Sequence, residues 1–276
     1  MTLRFAYNTN GTASHRLDDA LVLMSEAGYQ GVALTLDVNH FDPFRPDWEE
    51  ASARLRDRLG ELGLGSVIET GARYLLDPRA KHEPTLVTAD PNGRARRIAF
   101  LKRAIEIGKI LGSEAVSFWA GVPKPGVNHG EARRWLADGL MQVAAYAGEV
   151  GVTAALEPEP GMLIETVDDY LAIAAAVPGL TLALDLGHLM VTGERDPAAA
   201  LREFAGRIGT VSIEDMKRGE HVHLAFGDGD MDTPGILDAL EEIRFERLVC
   251  VELSRDSHRA DTMIPAAIRY LRECRR

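Results

Sequence analysis

The sequence predicts an α/β fold, a single-domain (β/α)8 TIM barrel over residues 1–276. Three observations predict it. Eight short apolar runs alternate with amphipathic stretches, the links on one side are tight and marked by glycine, and those on the other side are long and rich in charge. A length of 276 residues is ordinary for one such barrel, and no composition shift or low-complexity segment divides the chain.

The eight strands are expected at 3–8 (LRFAYN), 31–36 (GVALTL), 66–70 (SVIET), 115–119 (AVSFW), 153–157 (TAALE), 181–185 (TLALD), 210–214 (TVSIE) and 248–252 (LVCVE). Their nearly continuous apolarity suits a parallel sheet covered on both faces. Between them, 94–111 puts Ile98, Leu101 and Ile105 on one helical face and Arg96 and Arg103 on the other, and 131–149 carries a stripe of Leu136, Leu140, Val143 and Ala147. Helix-to-strand links such as ELGLGS, EVGVT and VPGLT carry the glycine that ends helices. The strand-to-helix links 71–93, 120–130 and 215–232 are long, and loops of that length usually cover a site. An open dinucleotide-binding sheet would need a Gly-rich phosphate turn after its first strand, and LRFAYNTNGT has none.

Composition narrows the partners. The formal charge is 31 − 42 = −11, which disfavours nonspecific binding to nucleic acid or anionic membranes. No apolar run reaches the roughly 18 residues of a membrane span. The first residues, MTLRFAYNTNGTASHR, lack a signal-peptide core, and the two cysteines, Cys250 and Cys274, suggest no disulfide framework. A cytoplasmic address is the expectation.

The strands end on an unusual residue set: Asn8, Asp37, Glu69, Trp119, Glu157, Asp185, Ser212 to Asp215, and Glu252. In a barrel these ends converge, and carboxylates that share a crevice repel one another unless a cation neutralises them. Oxygen ligands with one or two imidazoles suit Mn²⁺, Mg²⁺, Co²⁺ or Zn²⁺. Each residue also has a plainer reading. Glu157 could be an ion-paired acid, Asp185 a helix cap, and His188 a packed histidine. Glu159, between prolines in an apparently exposed turn, either orients substrate or is solvated. Glu252 follows the buried-looking Cys250. His221 and His223 are two apart, so an extended backbone places both rings on one side. Arg73, Lys81 and His82 in the third loop could hold a hydroxyl or a phosphate, or be solvated. Trp119 offers a sugar-stacking wall, whereas Phe118 suits the core. Asp228, Asp230 and Asp232 lack the glycine and glutamate of a calcium loop.

The stretches ALEPEPG, LALDLGHLM, TVSIEDMKRGEHVHLAFGDGDMD and LVCVELS occur in an order that resembles the xylose isomerase-like TIM-barrel superfamily of sugar phosphate isomerases and epimerases, which includes endonuclease IV. The resemblance implies one divalent metal held by Glu157, Asp185, a histidine and Glu252. Ser212 stands where the seventh-strand histidine is usual, so His223, His221 or a water would complete the set. His188 with His221 and His223 is similar to an extra zinc site of endonuclease IV. Glu69 and Trp119 occupy the places of that enzyme's other zinc histidines, which speaks against three metals.

The activity implied is a metal-dependent isomerase or epimerase of a small keto-sugar or polyol, working through an enediolate with Glu157 and Glu252 as base and acid. His188 would steady a hydroxyl, and loop 71–93 would act as a lid. A metal-dependent hydrolase or lyase, and a non-catalytic sugar-binding barrel, are the alternatives. A homo-oligomer is compatible with all of these.

Overall fold

The computed structural model describes residues 2–275. Eight parallel strands close into a barrel: β1 (Arg4–Asn8), β2 (Gly31–Thr35), β3 (Gly65–Glu69), β4 (Val116–Trp119), β5 (Ala154–Glu157), β6 (Thr181–Asp185), β7 (Ile208–Ile213) and, after a hairpin, β10 (Leu248–Val251). β1 pairs with both β2 and β10, which closes the ring. All eight lie within two residues of their expected places. The expected helices are also present, as Pro91–Leu111 and His129–Val150.

The alternation of side chains along each strand decides what faces the barrel axis. Inward residues are small and apolar low in the barrel, where Ala6, Ala33, Val67, Ala115, Leu248 and Cys250 form their own cluster. Two to four residues further along, the same inward set becomes Asn8, Glu69, Glu157, Ser212 and Glu252. Outward residues such as Phe5, Leu34, Ile68, Leu156 and Leu184 are buried against the surrounding helices. An acid at a strand end is therefore aimed into the barrel mouth by register alone.

Asp90, Asn128, Thr166, Asp185, Asp196 and Asp232 accept backbone N–H bonds at helix starts, each satisfying donors that a helix cannot satisfy itself. The expected loop 215–232 is different: it contains an antiparallel hairpin, β8 (Asp215–Lys217) and β9 (Glu220–Leu224). Gly219, at φ +74°, supplies the left-handed turn residue. Buried Asp215 anchors the segment, since its carboxylate accepts from the N–H groups of Met216, Gly227 and Met231. No described helix is long and apolar enough to cross a membrane.

Candidate metal centre

Asp185 ends β6 and begins helix Leu186–Thr192. Its two oxygens have separate surroundings. Oδ1 accepts the His188 backbone N–H at 2.9 Å, so the helix-cap reading holds for this atom. Oδ2 is buried with no N–H donor, and the Glu214 carboxyl lies against Asp185 and hydrogen-bonds to it when protonated. Oδ2 lies 3.8 Å from Nε2 of His188, one helical turn on. Nδ1 of His188 donates to the Pro158 carbonyl at 3.1 Å. That bond fixes the tautomer and leaves the Nε2 lone pair free, the usual arrangement for a metal-binding imidazole.

Glu157 ends β5, with Oε1 at 3.7 Å from the His188 ring. Glu157, Asp185 and His188 offer ligand atoms within 4.8 Å of one another, and so do His188, His221 and His223. His188 belongs to both groups. The hairpin explains the second: His221 and His223, two apart on β9, face the same side, and their ring centroids lie 4.8 and 6.3 Å from that of His188. Glu159 also reaches this place, 3.9 Å from His188 Nε2 and 3.7 Å from His221 Nε2. It is half-buried at the cavity wall, which corrects the exposed turn expected for it. Its backbone N–H donates to the Ile164 carbonyl at 2.9 Å and folds the loop inward. Carboxylates and imidazoles gathered in this way suit one divalent cation.

The cavity in front of them measures about 210 Å³. Glu157, Glu159, His188, His221, His223 and Glu252 line it, with Arg73, His82 and Trp119 on the third- and fourth-strand side. Glu252 joins neither ligand group; its Oε1 accepts from Asn10 Nδ2 at 2.7 Å. Trp119 is 4% exposed, with the Arg97 guanidinium 4.3 Å over its ring and His82 edge-on at 5.4 Å. The indole is largely enclosed and offers the cavity only a small part of its surface. Phe118 is in the core as expected.

Glu214 lies behind this site. It is fully buried, receives no N–H donor, and hydrogen-bonds to Asp185 when protonated, the state that burial and the neighbouring carboxylates favour; Oε2 is 4.0 Å from His223 Nδ1. Gly187 makes room for it. A Cβ at Gly187 would meet Glu214 Oε1 and come within 2.9 Å of two Met216 side-chain atoms. Both neighbours are buried and cannot swing away, so overpacking applies. Gly187→Ala is expected to cost about 1–3 kcal/mol, seen as a lower midpoint in urea unfolding.

Burial raises the carboxyls first, and their neighbours raise them further. Glu157 is pushed well above the usual carboxylate range by burial, then by Glu159, Asp185 and Glu252. Glu252 is pushed up to about 7 by burial and Asp185. Glu69 is pushed up to about 7 by burial and Glu252. His188 is pushed down to about 4, chiefly by burial. These shifts set the pH dependence of the metal-free protein. Between about pH 7.5 and 8.5 the unfolded carboxyls are already ionised and unfolded histidine is mostly neutral. Folded Glu69 and Glu252 lose their remaining protons in that window, so the native state binds more protons than the unfolded one and stability falls as pH rises. Metal-free protein should therefore melt at a lower temperature at pH 8.5 than at pH 7.5. Saturating Mn²⁺ or Zn²⁺ should flatten that slope by favouring the ionised carboxylates, and calorimetry at both pH values checks it.

Sequence spacing marks Glu69 and Glu214 as strand ends only, and gives no sign that Asn10 holds Glu252 or that Arg97 backs Trp119. Arg97 is wholly buried, donates to the Thr70 carbonyl at 3.0 Å, and would be read from spacing as one more surface arginine.

Comparison with known proteins agrees with this architecture. L-ribulose-5-phosphate 3-epimerase UlaE of Shigella flexneri serotype 5b (strain 8401) is 25% identical over 228 residues, which cover 81% of this chain and 77% of the relative. Two solved structures superpose over 99% of the chain. One is an L-ribulose 3-epimerase (TM-score 0.78, 22% identity, 94% of that chain). The other is IOLI protein with a binding zinc atom (TM-score 0.79, 20% identity, 98% of that chain). At these identities the structural likeness is one of fold. The family model described as xylose isomerase-like TIM barrel matches residues 21–274. The chain belongs to the xylose isomerase-like TIM barrel family.

Proposed function

We propose that the protein is a metal-dependent epimerase or isomerase of a small keto-sugar or sugar derivative. The observation that carries the reading is the convergence of Glu157, Asp185 and His188 on one point, with Asp185 Oδ2 buried, without an N–H donor and beside the equally buried Glu214 carboxyl. Carboxyls crowded in this way are costly to ionise, and a divalent cation removes the cost. Asp185, Glu157 and the histidines His188 and His223 would hold it, with Glu252 completing the set if its side chain turns from Asn10. When bound, the cation supplies positive charge against the negative charge that develops on substrate oxygens.

The chain's own residues then account for proton movement. Glu157 and Glu252 reach the cavity from strands on different sides of the barrel, so each can address one face of a substrate lying between them. One carboxylate removes the proton next to the carbonyl, and the other carboxylic acid returns a proton on the opposite face. Glu252, held at about 7, is matched to that exchange at neutral pH. His188, its tautomer fixed by Pro158, orients a hydroxyl. Glu159 and His82 contact the rest of the substrate, and Trp119 packs against its apolar side. Loop residues 71–90 limit water at the mouth, where an enediolate would otherwise be quenched.

The test is solvent exchange. Metal-loaded protein incubated in D₂O with pentuloses and hexuloses, phosphorylated or not, should introduce deuterium at the carbon beside the carbonyl, read by NMR. No exchange with any member of the panel would contradict the proposal. The second ligand group, His188 with His221 and His223, favours one other reading, a two-metal hydrolase or lyase. Two zinc ions per chain with phosphodiester cleavage would support it instead.

A further inference from the structure

We infer that Arg97 is a positioning residue: from outside the cavity it fixes the Trp119 indole and the turn after Glu69 as one wall of the site. Its effect on turnover rests on the keto-sugar reading above, whereas the positioning itself can be read without a substrate.

Arg97 lies on the helix Pro91–Leu111, which packs against β3 and β4. Its side chain is wholly buried, Nε and Nη1 have no hydrogen-bond partner, and Glu69 and Glu83 act on it only through space. Burial pushes the guanidinium down to about 10, so it is still a cation at neutral pH. A buried cation with two idle nitrogens is costly. Apolar side chains of similar volume often replace buried charges with no loss of stability. Core filling therefore explains Arg97 poorly.

Its contacts lead to the cavity wall instead. The guanidinium carbon lies 4.3 Å over the Trp119 ring, and Nη2 donates to the Thr70 carbonyl at 3.0 Å. His82 makes a matching pair of contacts: its ring stands edge-on to Trp119 at 5.4 Å, and its Nδ1 donates to the Gly71 carbonyl at 2.8 Å. Two consecutive carbonyls are thus held by two side chains that also grip the same indole. The turn they hold begins at Glu69, whose Oε1 accepts the Gly71 N–H at 2.9 Å. Thr70 Oγ1 in turn donates to the carbonyl of Ser117, two residues before Trp119, at 2.8 Å. Glu69, Gly71, His82 and Trp119 line the cavity, whereas Arg97 and Thr70 do not. Arg97 acts on a ligand only through these neighbours.

The guanidinium suits this place by its shape. A planar cation can lie flat on an indole and still direct an in-plane N–H to a carbonyl. An ammonium has no plane to stack, so lysine would keep the charge and loosen the tie between ring and turn. Trp119 shows the cavity little of its surface, and a small tilt of the ring therefore reshapes the wall. The one hydrogen bond of Arg97 goes to Thr70, so the metal ligands proposed above do not depend on it.

Trp48→Phe with Trp135→Phe leaves Trp119 as the single tryptophan. In that background Arg97→Met and Arg97→Lys are compared, as metal-loaded full-length protein, by acrylamide quenching and fluorescence anisotropy. Thermal melts and metal titration run alongside. Quenching of Trp119 should rise about 2-fold or more in Arg97→Met, and by less in Arg97→Lys, as local order is lost. Melting temperature and metal affinity should hold. For a ketose that the protein turns over, KM should rise roughly 10-fold in Arg97→Met with kcat little changed, because binding and not chemistry is weakened. The inference is overturned if the Trp119 signals of Arg97→Met match those of the parent, or if the signals move and KM does not. If Arg97→Met does not fold, a folded Arg97→Lys with unchanged Trp119 signals overturns it equally. A loosened Trp119 in protein that turns over no ketose would support the positioning role and overturn the epimerase reading. Turnover with an unmoved Trp119 would do the reverse.

Discussion

Glu157→Gln should lower kcat/KM by roughly 10²- to 10⁴-fold, the usual contribution of a positioned acid or base. The fold should be intact. Glutamine fills the same volume and removes a carboxyl whose proton affinity is raised by burial and by Glu159 and Asp185, so in metal-free protein the melting temperature should hold or rise. The pairing of outcomes matters more than either alone, because a merely structural glutamate would lose stability with activity. Glu252→Gln should lose turnover comparably. Asn10 can still donate to the amide oxygen, so that side chain stays in place. A fully active, metal-replete Glu157→Gln protein would remove Glu157 from the chemistry.

Asp185 carries the second large effect, and its two oxygens allow the effect to be divided. Asp185→Asn keeps an oxygen to accept the His188 N–H, so the helix cap survives. It removes the negative charge and the oxygen at Oδ2. Metal affinity should fall by about 100-fold or more, above the 10- to 100-fold typical of outer-shell changes, while metal-free stability stays close to the original. Asp185→Ala loses the cap as well, at a further cost of about 1 kcal/mol. Competition with a fluorescent chelator gives the affinities, and urea unfolding of metal-free protein gives the stabilities. Equal metal affinity in all three proteins would show that Oδ2 is not a ligand.

The legible and illegible parts of the chain differ in how local their signals are. The eight strands could be read because each is a compact apolar run, and β2 to β5 each follow a helix that a glycine ends. Asp185 and Glu157 could be read because a charged residue at the end of such a run breaks the pattern of its own strand. The hairpin over 215–224 could not. β8 and β9 are short and mostly polar, with His221 exposed and His223 half-buried, so no apolar alternation announces them. What holds them is Asp215 accepting backbone N–H groups up to sixteen residues away, a long-range contact. Arg97 eluded the helical reading for a related reason. Its neighbour Arg96 is exposed, and only the packing of Trp119 beside Thr70 makes a buried guanidinium tolerable one position later. Glu214 acquires meaning only through Asp185 and Gly187, which belong to another strand and another helix. Glu159 was visible as an acid, but the bond from its N–H to Ile164 that turns it inward was not.

The division between strand ends and loops also bears on the family comparison. Glu157, Asp185 and Glu252 sit where register fixes the backbone, and so belong to the part of a barrel that tolerates little change. His221 and His223 sit on the hairpin strand β9 and Arg73 and Lys81 on the loop after β3, all in connections where chemistry can vary on a constant frame. Substrate choice in this chain should follow the second set.

The most direct measurement is metal analysis of protein prepared without chelators, joined to anomalous diffraction from its crystals. One divalent ion per chain is predicted, with Asp185 Oδ2, a Glu157 oxygen and an imidazole nitrogen about 2.0–2.2 Å away. A protein that stays metal-free in excess Mn²⁺ and Zn²⁺, or that binds its ion away from these three groups, would contradict it.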